Sequence, residues 1–307
     1  MNTQEITEHI RTYACKLGFT ACGFAKAEEL IQEKEKLKTS VNSGFLGDMH
    51  FMEKNIEKRA NPLLLLDNAK TIISVLLSYS PGNIKILSDY KISAYAWGND
   101  YHKIMLQLLE KLFQKIKELF TGVKGRAFCD SAPVFERAWA KRAGIGWIGK
   151  NNLLINPIAG SFVFIGEIII DRELKYDSPI KEQCINCSLC IENCPTRTLA
   201  PYTLDARKCI SYITVENKSE KIPDVFAGKI KNEIYGCDIC QSICPHNKGI
   251  DKGLNHFFAP GEYVKWKNEN WETLDETRFQ KVFAETAIIR TGFKRVKRNV
   301  EFVKVRK

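Results

Sequence analysis

Eight of the chain's eleven cysteines lie between residues 184 and 244, and they constrain the fold more than any other feature of the sequence. Two runs, CINCSLCIENCP from residue 184 and CDICQSICP from residue 237, both end in Cys-Pro. The first run has the spacing C-x2-C-x2-C-x3-C, which is typical of proteins that bind [4Fe–4S] clusters through four thiolates each. Count and spacing together predict two clusters. Structural zinc sites favour separated C-x2-C pairs instead.

The cysteines can be divided between the two clusters, because in two-cluster ferredoxins the fourth cysteine of each run ligates the other cluster. The ligands predicted for the first cluster are Cys184, Cys187, Cys190 and Cys244. Those predicted for the second are Cys194, Cys209, Cys237 and Cys240. Cys209 belongs to neither run, so its assignment depends on the count of eight. The three scattered cysteines are expected to be small, inert side chains; they are Cys15, Cys22 and Cys129.

Composition and the N-terminal sequence together predict the cellular location of the protein. The charged and hydrophobic fractions are typical of a soluble globular protein, and no uncharged apolar run approaches the ~18 residues that cross a bilayer. The N-terminus predicts an amphipathic helix with Ile6, Ile10, Tyr13 and Leu17 on one face, and it lacks the apolar region of a signal peptide. We therefore expect a cytoplasmic protein without a membrane partner, whose thiols stay reduced and can bind metal.

The chain before the cysteine runs is longer than a simple ferredoxin needs, so electrons are expected to reach a group held there. Alternating helix and strand patterns predict a mixed α/β (α+β) domain over residues 1–172. A ferredoxin-like domain with two [4Fe–4S] clusters follows over 173–255, and a basic segment over 256–307. AKTIISVLLSYSPG predicts a buried strand, YHKIMLQLLEKLFQKIKELF an amphipathic helix, and LLINPIAGSFVFIGEIII two strands around a turn. No G-x-G-x-x-G or Walker loop indicates a nicotinamide or ATP site.

Three positions allow both a structural and a chemical interpretation. Asp130 can cap a helix that begins near Pro133, or it can donate a proton at the mouth of a pocket. Capping lowers the pKa of a carboxyl, whereas a general acid needs a raised pKa, which burial against a cofactor would have to supply. Gly144 can end a helix in the left-handed conformation, or the glycines around it can admit a flat cofactor. His102 follows Asp100 as in a known cobalt-ligand motif, but Met105 replaces the glycine of that motif, so we interpret His102 as a surface or capping histidine.

Several long strings resemble the epoxyqueuosine reductase family. They are YAWGNDYHK, DSAPVFERAWAKRAGIGWIGKNN, GSFVFIGEIIID, the two cysteine runs, YITVENK and GCDICQSICPHN. The resemblance implies a cobalamin-binding domain over 1–172, related to that of reductive dehalogenases. It also implies an oxidoreductase that reduces the epoxide of epoxyqueuosine, at the wobble position of tRNA, to the alkene of queuosine. Two clusters would relay electrons from an external low-potential donor.

The resemblance also implies roles for single residues. Cob(I)alamin would attack an epoxide carbon while Asp130 protonates the leaving oxygen, and no protein histidine would lie beneath the cobalt. The implied cofactor contacts are Arg59, Asp130, Ser131, Gly149, Lys150, Asn151, Leu154, Ile165, Ser211 and Asp238. Many members of the family carry a C-terminal helical-repeat extension that this sequence does not contain, so the grip on tRNA is expected to differ.

Charge supplies a separate indication of the partner. The net charge is +10, and from Arg290 onward eight basic residues, including Arg306 and Lys307, stand against one acidic residue. Such a segment is typical of proteins that bind a polyanion such as tRNA, although a charge run is often only a solvated face. The expected tRNA contacts are Lys218, Arg290, Lys294, Arg295, Lys297 and Arg298.

Three other kinds of protein stay open on the residues alone. The first is a ferredoxin-like electron-transfer protein whose N-terminal part holds a flavin or only docks a partner. The second is an RNA-binding module with structural clusters. The third is a cobalamin and iron–sulfur reductase of the reductive dehalogenase type that acts on a small molecule.

Overall fold

The computed structural model of the chain describes residues 1–82, 84–250 and 256–305. The predicted boundary at residue 255 and the terminal Arg306 and Lys307 lie outside the described residues. The helices are α1 (Thr3–Lys16), α2 (Ile31–Asn42), α3 (Ile56–Ala60), α4 (Tyr101–Leu119), α5 (Glu136–Arg142), α6 (Leu189–Glu192), α7 (Ile210–Val215), α8 (Ile239–Ser242), α9 (Asn268–Glu272), α10 (Glu276–Phe283) and α11 (Phe293–Lys304). The strands are β1 (Ala21–Lys26), β2 (Thr71–Ser78), β3 (Lys91–Ile92), β4 (Gly125–Phe128), β5 (Trp147–Ile148), β6 (Leu154–Ile155), β7 (Val163–Ile170), β8 (Leu199–Ala200), β9 (Thr203–Leu204) and β10 (Glu233–Tyr235).

A four-stranded sheet in the order β1-β2-β7-β4 organises the N-terminal half, and each neighbouring pair of strands is antiparallel. β2 is buried along its whole length because it is an inner strand with packed layers on both faces. This confirms the buried strand predicted for AKTIISVLLSYSPG. The mixed α/β class is confirmed as well.

Helices cover both faces of the sheet. α4 packs its apolar side on β7, as its spacing predicts, and Gly166 of β7 allows the close approach. A Cβ atom at Gly166 would lie 2.7 Å from Met105 Cε and 3.0 Å from Leu109 Cδ1, so any larger residue would require these side chains to shift. α5 covers the opposite face, where Trp139 packs with Ile72 and Ile169. The loops that leave β4 and precede α4 are therefore held at the same end of the sheet.

The string LLINPIAGSFVFIGEIII forms two strands, but they do not pair with each other. β6 pairs with β5, whereas β7 joins the main sheet. The turn between them is closed by a bridge between Asn156 and Gly160, and Gly160 has a φ of +66° that favours glycine. The prediction of two strands around a turn is confirmed, with this correction to their pairing.

The hydrophobic core runs across the predicted domain boundaries. β10, from the cysteine-rich part, pairs in parallel with β3 of the N-terminal part. Tyr263, from the C-terminal segment, donates its hydroxyl to the carbonyl of Ala96 (2.7 Å). α11 buries Val296, Val300 and other apolar side chains against the body of the protein. Among the described residues, no helix has the length and apolar composition that a membrane span requires.

Candidate active site and cysteine centres

Asp130 lies in the loop between β4 and α5, and its backbone is in the left-handed region (φ 54°). α5 begins at Glu136 with Phe135 as its N-cap, so the interpretation of Asp130 as a helix cap is wrong. A left-handed aspartate costs free energy that the surroundings must offset. Here the conformation leaves 55% of the side chain exposed and directs the carboxylate to the start of α4.

Three side chains connect Asp130 to the interior. Asp130 Oδ2 accepts a hydrogen bond from the Tyr101 hydroxyl (3.0 Å) and lies 2.8 Å from His102 Nε2. The other ring nitrogen, His102 Nδ1, lies 2.6 Å from Asp100 Oδ1. His102 is therefore buried between two carboxylates, and its interpretation as a surface or capping histidine is wrong.

Arg290 completes this cluster from the C-terminal segment. Its guanidinium lies 3.0 Å from His102 Nε2 and donates to Asp100 Oδ2 (3.2 Å). Half of the side chain remains exposed. The basic run predicts Arg290 as a tRNA contact, and the structure places it beside the candidate proton donor. Below, the His102 cluster denotes Asp100, Tyr101, His102, Asp130 and Arg290.

The hydrogen bonds set the protonation of the His102 cluster. Burial by itself would raise the pKa of Asp130, but the hydrogen bond and charge of His102, with Tyr101 adding to them, lower it below the ordinary aspartate value. Burial and the positive charge of Arg290 would lower the pKa of His102, but the hydrogen bonds to Asp100 and Asp130 and the charge of Asp130 raise it above its ordinary value. The rise in pKa that a general acid needs thus falls on His102 and not on Asp130, and the pair stores a proton on the imidazole.

Two further acids lie behind the Asp130 loop. Glu136 accepts the backbone N–H of Asp130, and burial together with the negative charge of Asp130 raises the pKa of Glu136 to about 8. Glu167 of β7 is fully buried, neither of its carboxylate oxygens has a hydrogen-bond partner among the described residues, and burial raises its pKa well above the ordinary value. Both groups therefore favour the neutral, protonated form near pH 7.

Two predicted cofactor contacts carry buried donors that the described part of the chain does not use. Arg59 is buried, and while one of its terminal nitrogens lies 3.5 Å from the Ala132 carbonyl, its Nε has no partner there. Asn151 is buried, and its Nδ2 likewise has none. Buried donors are usually paired, so these two are suited to acceptors on a bound group.

The other predicted cofactor contacts are placed differently. Gly149 has no room for a side chain, since a Cβ atom would lie 2.5 Å from Ile155 Cδ1. Lys150 donates to the carbonyls of Ile185 and Cys187 and so holds the first cysteine loop (3.0 Å each). Leu154 is 2% exposed and packs inside the core, and its contact to a cofactor stays a prediction.

Four predicted contacts remain. Ile165 packs at the edge of the same apolar cluster, and Asp238 accepts the backbone N–H of Ala94 (2.7 Å). Ser131 is exposed beside Asp130, and Ser211 is partly exposed on α7.

The cysteines fall into two groups in the folded chain. Burial raises the pKa of Cys190, and the neighbouring thiols of Cys244, Cys184 and Cys187 add to the rise. Trp147 packs on Cys184 and Cys244, and its indole N–H donates to Cys184 Sγ (3.5 Å). These four thiols are the set predicted for the first cluster.

The isolated Cys209 lies with the second set. Burial raises the pKa of Cys240, and the nearby thiols of Cys237 and Cys209 contribute. Burial also raises the pKa of Cys209, with a contribution from Cys194. In residues 1–82, 84–250 and 256–305, no three His, Cys, Asp or Glu side chains are arranged around a single metal ion. A [4Fe–4S] cluster, by contrast, holds its four thiolates around a cube of iron and sulfide.

The predicted tRNA contacts divide by exposure. Lys218 and Lys294 are exposed. Arg295 donates to the carbonyl of Val215, and Lys297 to that of Glu272. Arg298 is only 9% exposed and donates to backbone carbonyls, so its prediction as a phosphate contact is corrected to a structural role.

Comparisons with known proteins identify the family of this chain. The family described as "Epoxyqueuosine reductase QueG, DUF1730" matches residues 59–131, and a "4Fe-4S double cluster binding domain" matches residues 183–247. The epoxyqueuosine reductase of Leadbetterella byssophila is 42% identical over 301 residues, which cover 98% of this chain and 99% of that one. The chain belongs to the epoxyqueuosine reductase family. It is therefore an oxidoreductase with a double [4Fe–4S] domain.

Other members of the epoxyqueuosine reductase family are similar along nearly the whole chain. The Escherichia coli enzyme is 35% identical, with 98% of this chain and 81% of that one covered. A solved epoxyqueuosine reductase with an epoxyqueuosine-modified stem loop of tyrosine tRNA matches with a TM-score of 0.91 and 32% identity, covering 98% of this chain and 81% of the other. The Streptococcus thermophilus enzyme matches with a TM-score of 0.88 and 33% identity, covering the same shares. A catabolic reductive dehalogenase, at 14% identity and a TM-score of 0.52, covers 97% of this chain and 38% of that one and shares the fold alone.

Proposed function

We propose that this chain reduces the epoxide of epoxyqueuosine in tRNA to the alkene of queuosine. The observation that carries the proposal is the half-exposed Asp130, joined through His102 to Asp100 and Arg290, in a member of the epoxyqueuosine reductase family. Two solved relatives support it. One holds an epoxyqueuosine-modified tRNA stem loop, and the one from Bacillus subtilis is described with its catalytic aspartate loop swung out of the active site.

The His102 cluster supplies protons for this reaction. Converting an epoxide to an alkene takes two electrons and two protons and releases one water molecule. The imidazolium of His102 passes its proton across 2.8 Å to the Asp130 carboxylate, and Asp130 gives that proton to the epoxide oxygen as the carbon–oxygen bond breaks. Asp100 holds the imidazole by its other nitrogen and favours its charged form. Glu136, whose backbone partner is Asp130, keeps a further proton near the loop.

We propose cobalamin as the cofactor, and the residues present fit such a group. The donors without partners on Arg59 and Asn151 are suited to its amide and phosphate oxygens, and the backbone of Gly149, next to Asn151 in the chain, is a further proposed contact. Ser131, Ile165, Lys150, Ser211 and Asp238 are the remaining proposed contacts, through side chain or backbone. When bound, cobalamin supplies a low-valent cobalt nucleophile for the epoxide carbon. The role proposed for Asp130 beside this cofactor is to deliver the proton to the epoxide oxygen.

The electrons and the substrate define the other proposed partners. Electrons from an external low-potential donor would pass through two [4Fe–4S] clusters. Cys184, Cys187, Cys190 and Cys244 would hold one cluster, and Cys194, Cys209, Cys237 and Cys240 the other. The anticodon stem loop would be held by exposed cations, of which Lys218 and Lys294 are the first candidates, with the half-exposed Arg290 at the reaction site. The division into residues 1–172, 173–255 and 256–307, and a cytoplasmic location, belong to this proposal.

A reconstitution experiment tests the proposed function. The protein is loaded anaerobically with iron, sulfide and cobalamin, reduced chemically and incubated with tRNA that carries epoxyqueuosine. We expect the released nucleoside to lose one oxygen by mass analysis, and a protein without cobalamin to leave it unchanged. Stoichiometric clusters without cobalamin binding would instead indicate an electron-transfer protein. Turnover of a small organohalide with no change in tRNA would indicate a dehalogenase.

A further inference from the structure

A shallow apolar cavity opens to solvent next to the first cysteine group. It has a volume of about 430 Å³ and is lined by Pro157, Ile180, Lys181, Glu182, Gln183 and Ile185. Ile185 is 68% exposed although it lies between two cysteines of the first run, and Ile158, beside Pro157, is 64% exposed. They are the two most exposed isoleucines among the described residues. We call this surface, from Pro157–Ile158 to Ile180–Ile185, the isoleucine patch.

The isoleucine patch lies directly over the first cysteine group. Ile180 packs against the buried cluster formed by Trp147, Ile155, Cys184 and Cys244. Ile185 shares its loop with Cys184 and Cys187, and its carbonyl is held by Lys150 Nζ (3.0 Å). A single layer of apolar side chains therefore separates these thiols from solvent at this surface. The cysteines of the second group, including Cys209 and Cys240, are partly buried as well, so the choice of the first group rests on the apolar surface that packs beside it.

Charge around the patch favours an acidic partner. Lys181 makes no salt bridge among the described residues, and Lys150 adds a second positive charge at the loop. The one carboxylate of the lining, Glu182, accepts the hydroxyl of Tyr202. The whole chain carries a net charge of +10, which attracts an acidic protein from a distance.

We propose that the isoleucine patch docks a small acidic one-electron carrier, of the flavodoxin or ferredoxin class. The inference rests on the proposed function, which needs electrons from outside. In each encounter the carrier gives one electron to the group held by Cys184, Cys187, Cys190 and Cys244, and no bond is formed or broken. Two encounters supply the two electrons of one turnover.

Charge substitutions within the patch test the docking. Ile158→Glu and Lys181→Glu lie outside the ligand-bearing loop, and Ile31→Glu and Lys36→Glu, at exposed positions of α2, are matched controls. The reconstituted protein is titrated with oxidised flavodoxin, and the reduction of its clusters by flavodoxin hydroquinone and by dithionite is followed by absorbance. We expect both patch variants to bind flavodoxin on the order of tenfold more weakly at low salt, and to be reduced correspondingly more slowly. Dithionite reduction, iron content and tRNA affinity should stay unchanged, and the α2 variants should behave as wild type.

Several results would overturn this inference. One is wild-type binding and reduction in both patch variants, and another is a wild-type protein that accepts electrons from neither flavodoxin nor ferredoxin. Loss of tRNA affinity in the patch variants would assign the surface to RNA, and a weaker self-association of these variants than of the wild type would assign it to a second copy of this chain. All of these measurements proceed without epoxyqueuosine. A failure to form the alkene would therefore overturn the proposed function and leave the docking result intact.

Discussion

At the scale of single residues, the most informative side chain is His102. Its two ring nitrogens lie 2.6 and 2.8 Å from two carboxylates, so the imidazolium balances charges that would otherwise repel each other. Asp130 can thus remain at a half-exposed position as an anion with a proton close by. The arrangement separates the two requirements of a proton donor, since Asp130 provides access and His102 provides the stored proton.

Asp130→Asn tests the access part of this arrangement. Asn cannot deliver a proton as an acid does, so alkene formation should fall by about 10²-fold or more. Asn tolerates the left-handed backbone, and its N–H can still reach Glu136, so folding, iron content and cobalamin binding should persist. Single-turnover assays with nucleoside mass analysis measure the rate. Turnover near the wild-type rate in a fully loaded variant would contradict the role of Asp130.

The pH dependence of stability tests the stored proton. The pKa of His102 is raised above its ordinary value of 6.5, so its contribution to stability is complete below about pH 6.5 and disappears as the pH rises through the raised pKa. The pKa values of Asp100 and Asp130 are lowered from 3.8, so their contribution is present above that pH and disappears as the pH falls through the lowered values. The difference in melting temperature between wild type and His102→Gln should therefore be largest between about pH 4 and 6.5 and shrink above that range. A difference that grows toward alkaline pH would show that His102 is neutral in the folded protein.

At the scale of elements, α11 illustrates how a basic segment can be structural on one side and free on the other. Arg298 and Asn299 are buried and donate to backbone carbonyls of α7, of the loop that follows it and of β10. Lys294, on the same helix, is exposed. α11 therefore holds α7, which begins directly after Cys209, in place, and it also presents the cation of Lys294 to solvent.

Arg298→Met should destabilise the protein by about 2 kcal/mol, because it leaves buried carbonyl groups of Ile213 and Asn217 without donors while it keeps much of the side-chain volume. Lys294→Gln, as the matched control on α11, should change stability by less than about 0.5 kcal/mol. Urea unfolding of both variants measures the difference. Equal stability of the two proteins would show that the buried guanidinium contributes nothing net.

The short segment before α7 brings Cys209 to the second cysteine group. Cys209→Ala should reduce the iron content from about eight to about four atoms per chain, since a cluster with three protein ligands is poorly held. Cys15→Ala, which removes an exposed and isolated thiol, is the control and should leave iron unchanged. Iron analysis and electron paramagnetic resonance after reduction measure the outcome. Full iron in Cys209→Ala would mean that another ligand completes the second cluster.

At the scale of the whole molecule, one shared core joins the active-site loop, the cysteine groups and the C-terminal segment. β3 and β10 pair across the two halves, and Arg290 reaches from the C-terminal segment into the His102 cluster. The three parts are thus fixed relative to each other, which an electron path to a single reaction site requires. The cations that stay exposed on the surface, such as Lys218 and Lys294, are therefore the ones available to contact tRNA.

The salt dependence of tRNA binding tests that remaining charge. Lys218 and Lys294 are exposed, so replacing each by Gln should weaken tRNA binding at low salt. The slope of log affinity against log salt should flatten by up to about 0.7–0.9 for each phosphate that the protein no longer neutralises. Lys111→Gln, at an exposed position of α4, is the control, and filter binding at several salt concentrations measures the slopes. An unchanged slope in the Lys218 and Lys294 variants would show that other residues hold the tRNA.

Features that depend on local spacing could be predicted from the sequence alone. The C-x2-C-x2-C-x3-C run, the apolar period of α4 and the continuous apolar string of β2 each follow from neighbours along the chain, because helix and strand periods place those side chains on one face. Asp130 is identified in the same way, through a string shared with the family. That string indicates Asp130 as the proton donor, but it does not indicate that His102 supplies the proton.

Contacts between residues far apart in the chain could be seen only in the tertiary structure. His102 became part of the site because the loop after β4 returns to the start of α4, and Arg290 because the C-terminal segment packs there, 188 positions away in sequence. Arg298 belongs to a basic run typical of surface cations, yet burial against the α7 loop turned it inward. Local patterns carry no information on which loops meet, since that is set by the packing of the sheet and its two helical layers. The pairing of strands, the placement of the stored proton and the division of cations between interior and surface therefore emerged only in the folded protein.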